Sequence, residues 1–161
     1  MAWALLSSTI LDASGDLIAS GSIDAKECLA IQYYIKRATT GDQNVRLTFN
    51  SDSTASYSYR TAINGTTDST GTAQNNVELH SGVVNDNYGI IYVANQASVE
   101  KMAVVHVAGE NAAGSTNAPD RRESVLKWAN TSDAITSVQL KQTSTGDFES
   151  TSFMTIFGTD D

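Results

Sequence analysis

Proline is almost missing from this sequence: Pro119 is its one representative among 161 residues. Cysteine is as rare. Cys28 stands alone, so no internal disulfide can form, and its place in an alternating stretch reads as a small buried hydrophobe. With two histidines, His80 and His106, no Cys/His group has the spacing of a zinc site, and no metal is expected. No run approaches the about 20 apolar residues of a membrane-spanning helix, so no membrane partner is expected. The opening Met1-Ala2-Trp3-Ala4-Leu5-Leu6 lacks a basic leader, and its apolar run ends too early for a secretory signal. Synthesis in a cytoplasm is the expectation.

Lysine and glutamate are sparse too. Together they number 11 against 37 serines and threonines, a balance that disfavours long helices and suits strands joined by polar turns. Basic charge is short: ten Lys and Arg face 18 Asp and Glu, giving a formal net charge of −8 and a pI near 4.5. An acidic body repels phosphate unless one basic face outweighs it. The densest basic group, Arg121-Arg122, is flanked by Asp120 and Glu123, so nucleic acid is not an expected partner.

What is present is alternation. Leu29, Ile31, Tyr33 and Ile35 fall on one side of a strand pattern; Val45, Leu47 and Phe49 do so in a second, and Tyr57 and Tyr59 in a third. Residues 134–142 alternate again, and 153–158 read as a strand buried on both faces. Residues 90–94 and 102–108 are nearly continuously apolar, which predicts central strands covered on both sides. Helical patterns match poorly; the best, over 97–102, is no more than a turn. Between the strands lie polar turns, and two of the intervals, 63–76 and 109–119, are long and almost without apolar residues. The length suits a single domain, residues 1–161, able to bury roughly two-thirds of the surface its unfolded chain exposes. The fold class expected is all-β: a two-sheet antiparallel sandwich, jelly-roll-like, of about eight or nine strands.

Chemistry is harder to find. His106 lies in a strand pattern and His80 precedes Ser81-Gly82, but no sequence elbow presents a nucleophile to either. Aspartates cluster at turns, where their local hydrogen bonds favour them. The oxygen-rich turns at 50–53 and 85–87 could offer ligands to calcium, yet neither matches an EF-hand loop. Glycine-rich phosphate cradles are missing. No catalytic residue, cofactor-binding residue or metal ligand is assigned, and no enzyme activity is expected. The apolar Trp3, Leu5 and Leu6 sit in a possible N-terminal interaction arm, residues 1–10, placed to tuck into the sandwich or dock on a neighbour. With Arg121 and Arg122, just after the second long interval, they are the candidate partner contacts.

The end of the chain carries a resemblance. Lys127-Trp128-Ala129-Asn130-Thr131-Ser132, then Ala134-Ile135-Thr136, Gly146-Asp147-Phe148 and a final strand ending at Phe157-Gly158 resemble a recurrent small virion protein of tailed bacteriophages. The stretch VRLTFNSDSTASYSYR, residues 45–60, resembles the same proteins in its Asn-x-Asp turn followed by a tyrosine strand. Both fall in order, and with the strands between them cover about two-thirds of the chain.

That resemblance implies a compact sandwich displayed on the particle, as a capsid decoration (cement) protein or as part of the tail or its fibres. The partners it implies are the major capsid protein or other virion proteins, with a homo-oligomer, a trimer favoured. It supplies no catalytic residue. A tail- or fibre-associated sandwich that binds a receptor or carbohydrate is the alternative. The closing stretch, 125–161, reads as the final hairpin of the sandwich.

Overall fold

The computed structural model describes residues 2–37, 41–80, 86–112 and 114–160. Twelve strands are found among them: β1 (Ala4–Ile10), β2 (Leu17–Ala19), β3 (Cys28–Ile35), β4 (Val45–Phe49), β5 (Tyr57–Ile63), β6 (Ser69–Gln74), β7 (Val77–His80), β8 (Asn87–Ala94), β9 (Lys101–Gly109), β10 (Asp120–Trp128), β11 (Val138–Gln142) and β12 (Phe153–Thr159). They form two antiparallel sheets, ordered β1-β12-β3-β8-β9-β10-β5-β6 and β2-β11-β4-β7. The protein is an all-β sandwich. Consecutive strands are neighbours only at β5–β6 and along β8–β9–β10. The other connections between described strands pass from one sheet to the other, which rules out a simple meander.

The core lies between the sheets and follows the period of two. From the large sheet, Leu29, Ile31, Tyr33 and Ile35 of β3 point inward, joined by Ile91, Val105, Leu126, Trp128 and Ile156. From the small sheet come Ile18, Val45, Leu47, Phe49, Val77, Leu79, Val138 and Leu140. All are buried, and strands pack in this way because alternate side chains leave opposite faces.

Strands outnumber the sequence expectation for physical reasons. β6 lies inside the polar interval 63–76. It is an edge strand whose one buried residue is Gly71, and a Cβ there would stand 2.6 Å from the Tyr59 ring. With no apolar side chain to bury, it leaves no alternation to read. Conversely, residues 134–137 alternate but form no strand. Two asparagine side chains take the place of a ladder there. Asn95 accepts from Ile135 N at 2.7 Å and donates to Ile135 O at 3.2 Å. Asn50 accepts from Thr136 N and Ser137 N at 2.8 and 3.0 Å and donates to Ala134 O at 2.8 Å.

The closing stretch is not a hairpin. β11 pairs with β2 and β4 in the small sheet, whereas β12 lies between β1 and β3 in the large one. Alternation fixes which side chains a strand buries, not which strand it pairs with. The segment between them crosses the sandwich and buries Phe148 on the way. Gly158, near the end of β12, gives room to Leu6 and Lys26, whose side chains occupy the space a Cβ would need.

Candidate interaction surface

The strands expected to be covered on both sides are covered on one. β8 and β9 are central in the large sheet, and their inward residues are buried, but their outward residues meet solvent. Register places these residues in rows across the sheet. One row reads Leu5, Phe157, Ala30, Tyr92, Val104, Val125, Arg60 and Thr70, each opposite the next. A second passes through Cys28, Ala94, Met102, Lys127 and Ser58. Tyr92 is 49 % exposed, Met102 63 %, Val104 44 % and Val125 52 %. Four neighbouring strands, β1, β12, β3 and β8, contain no Asp, Glu, Lys or Arg at all. An apolar patch of this continuity is unusual on a surface that meets water alone.

The patch is cupped. A groove of about 800 Å³ crosses it, and its lining includes Trp3, just before one edge strand, and Thr70 to Thr72 on the other edge strand. Small residues, Cys28 and Ala94, line it together with Tyr92, Met102, Val104 and Val125. Charged side chains stand around it in exposed pairs: Lys127 with Glu100 at 3.0 Å, Arg60 with Asp68 at 3.4 Å, and Arg121 with Glu123 at 3.9 Å.

Placement of the sequence candidates divides them. Trp3 and Leu5 are exposed, Trp3 lining the groove and Leu5 beginning the apolar row. Of the expected arm, residues 1–10, Ala4–Ile10 form strand β1 along β12, and Met1 lies outside the described residues. A bulge between Leu5 and Ser7 turns Leu6 inward against the core. Arg121 is exposed. Arg122 is buried, its Nη1 donating to Glu78 Oε1 at 3.0 Å, so its charge is used inside the fold. Sequence reading missed Tyr92, Met102, Val104 and Val125 as surface residues. For Tyr92, Met102 and Val104 the signal was present in the nearly continuous apolarity of 90–94 and 102–108.

The polar features noted in the sequence serve the fold. Asp52, from the Asn-x-Asp turn, accepts hydrogen bonds from Trp128 Nε1 at 2.7 Å, Ser56 Oγ at 2.6 Å and Thr54 N at 2.8 Å. Partial burial opposes its charge, but these bonds outweigh it and hold the carboxyl far below the usual carboxylate range. Trp128 stacks on Tyr57 at 6.4 Å between centroids and packs on Phe49 at 5.9 Å, while Lys101 Nζ sits 5.7 Å from the indole. Lys101 donates to Val99 O and Asn130 O at 2.9 and 3.0 Å; burial pulls its pKa down. Residues 45–60 and the closing stretch are thus joined in one corner, by Asp52 to Trp128 and by Asn50 to residues 134–137.

His106 points outward from β9, between Ile90 and Glu123 in register, and His80 is buried at the end of β7 against Gly109. Among the described residues no group of three or more His, Cys, Asp or Glu could hold a metal ion. Of the oxygen-rich turns, 50–53 has its Asp52 committed to Trp128; in 85–87, Asn85 lies outside the described residues. Asp86 accepts from Tyr34 Oη and from Arg37 N at 2.9 Å. The bond to Asp86, with burial second, raises Tyr34 to about 12. A separate cavity of about 390 Å³ lies there, lined by Tyr34, Tyr88, Asp86, Glu110, Asn111 and Asn117 among others. Compared with protein-family models, with curated proteins and with solved structures, the chain matches none.

Proposed function

We propose that this chain is a non-enzymatic structural protein of a tailed-phage virion, specifically a capsid decoration protein that binds and stabilises the assembled shell. It is made in the host cytoplasm and carried on the particle. The observation that supports a binding role is the uncovered apolar face of the eight-stranded sheet, with Tyr92, Met102, Val104 and Val125 all more than two-fifths exposed in adjoining rows. Surface of this kind disfavours a solitary existence in water and favours assembly. The two stretches that resemble virion proteins, now joined at the Asp52–Trp128 corner, support the particle as the place of assembly.

The test is co-sedimentation of the purified protein with empty shells of the phage that encodes it. Saturable binding, with shells that then resist a higher temperature, is the expected result. A second reading, a tail- or fibre-associated receptor-binding sandwich, draws on the cavity between Tyr34 and Tyr88, where aromatic faces stand beside carboxylates and amides. Absence of shell binding together with reproducible sugar binding on a glycan array would favour it.

A further inference from the structure

We propose that two copies of this chain pack together through the outer faces of their eight-stranded sheets, with Tyr92, Met102, Val104 and Val125 at the centre of the contact. This rests on the reading that the chain works by assembly and names the partner of that face.

Size is the first argument. Eight strands spaced about 4.8 Å apart span about 34 Å, and four outward residues along a strand cover about 20 Å. The flat area is then about 700 Å² before side-chain relief is added, close to the about 800 Å² that each partner buries in a standard interface. Composition is the second. The face carries the aromatic residues Tyr92 and Phe157 with Met102 and is nearly free of charge at its centre, as the buried middle of an interface is.

Charge supplies the third argument, and it selects a second copy over an arbitrary partner. The ionised groups paired around the face are Arg60, Arg121 and Lys127 with Asp68, Glu123 and Glu100, three of each sign, so they sum to zero. The whole chain carries −8. Two such acidic bodies repel through most of their surface, but these faces can meet without net repulsion and can exchange ion-pair partners across a two-fold axis.

Shape permits the contact. A twisted sheet is saddle-shaped, cupped along one diagonal and bowed along the other. Two identical saddles nest when their strands cross near a right angle, as in orthogonal sheet packing. The groove between Trp3 and Thr70 to Thr72 is the cupped direction. A face-to-face contact closes on itself, so it builds dimers.

Light scattering on the eluting protein tests this. The mass expected is twice the 17.1 kDa of one chain. The double variant Val104→Lys/Val125→Glu replaces the centre with an opposite-charge pair that can satisfy itself across β9 and β10. It is expected to weaken association about 100-fold or more, eluting as single chains with an unchanged circular dichroism spectrum. Should that variant misfold, Tyr92→Ser removes an exposed anchor from one strand and makes the same prediction. Thr48→Lys, on the other sheet, should leave the dimer intact. A wild-type protein of one-chain mass, a trimer, or a dimer unchanged by the face variants overturns the proposal. Shell binding is measured separately on the wild-type protein: a one-chain mass with shell binding removes the dimer and leaves the decoration role standing, and a dimer that ignores shells does the reverse.

Discussion

On the four-stranded sheet, the side chains that look away from the core include Arg46, Thr48, Glu78, Gln139 and Lys141, and several are tied to one another. Thr48 lies 3.4 Å from Gln139, and Arg46 pairs with Glu78, which also receives Arg122 reaching past the edge strand β7. On the eight-stranded sheet, the corresponding positions hold Leu5, Phe157, Ala30, Tyr92, Val104 and Val125 in a single row. An antiparallel sheet with one wet face ordinarily puts polar residues there. The small sheet follows that pattern and the large sheet departs from it. Each Å² of apolar surface left in water forgoes about 25 cal/mol, so the departure makes physical sense only where another surface covers it. The comparison separates a face that is finished by its own polar contacts from one that is finished by assembly.

Three changes would break or sharpen this contrast. The largest effect should come from the tie at the edge of the small sheet. Glu78→Ala leaves the buried Arg122 without its carboxylate and should cost about 3 kcal/mol of unfolding free energy, read by urea titration. A loss below about 1 kcal/mol would mean that this face does not depend on its ion pairs in the way described.

Next comes the corner where the sheets meet. Asp52→Asn keeps the size of the side chain but removes the charge that Trp128, Ser56 and Thr54 address, and should cost about 1–2 kcal/mol at neutral pH. Because the folded carboxyl titrates below the unfolded one, its contribution is fully present above the ordinary carboxylate range, near pH 4. It is lost as pH falls further. The stability gap between wild type and Asp52→Asn should therefore be level above about pH 5 and narrow progressively below about pH 4. A gap independent of pH would assign the loss to geometry instead of charge.

The smallest effect belongs to the apolar face. In single chains, made with the Val104→Lys/Val125→Glu background, Met102→Ser should change unfolding free energy by less than about 0.5 kcal/mol, while binding of a hydrophobic dye falls. Core positions give several times that loss, about 2–5 kcal/mol. A Met102→Ser cost in the core range would show that the face is packed within the chain, and the contrast between the two sheets would collapse.

Most of the β-structure was legible because burial on one side leaves a period of two, as in 29–35 and 45–49. It failed where that cause was missing. β6 is an exposed edge that packs a glycine, and 134–137 alternate while most of their backbone bonds go to Asn50 and Asn95, with Thr136 O taken by Ile23 N. Of the surface site, Trp3 and Leu5 could be named from the sequence, because a terminal apolar run is conspicuous. Leu6 and Arg122 were named beside them and point elsewhere: a bulge turns Leu6 inward, and Glu78, over 40 residues away in sequence, draws Arg122 into the fold.

By itself the sequence determined that the chain makes strands, which side chains of each strand share a face, and that the body is acidic. These are local properties, set by alternation and composition. Tertiary structure decided which strands are neighbours and which faces are covered. The apolar runs at 90–94 and 102–108 are compatible with cover on both sides or on one. With four strands in the second sheet and eight in the first, only one face of the larger sheet has a sheet packed on it among the described residues. Contacts between residues far apart in sequence settle that count, and no single stretch of residues records it.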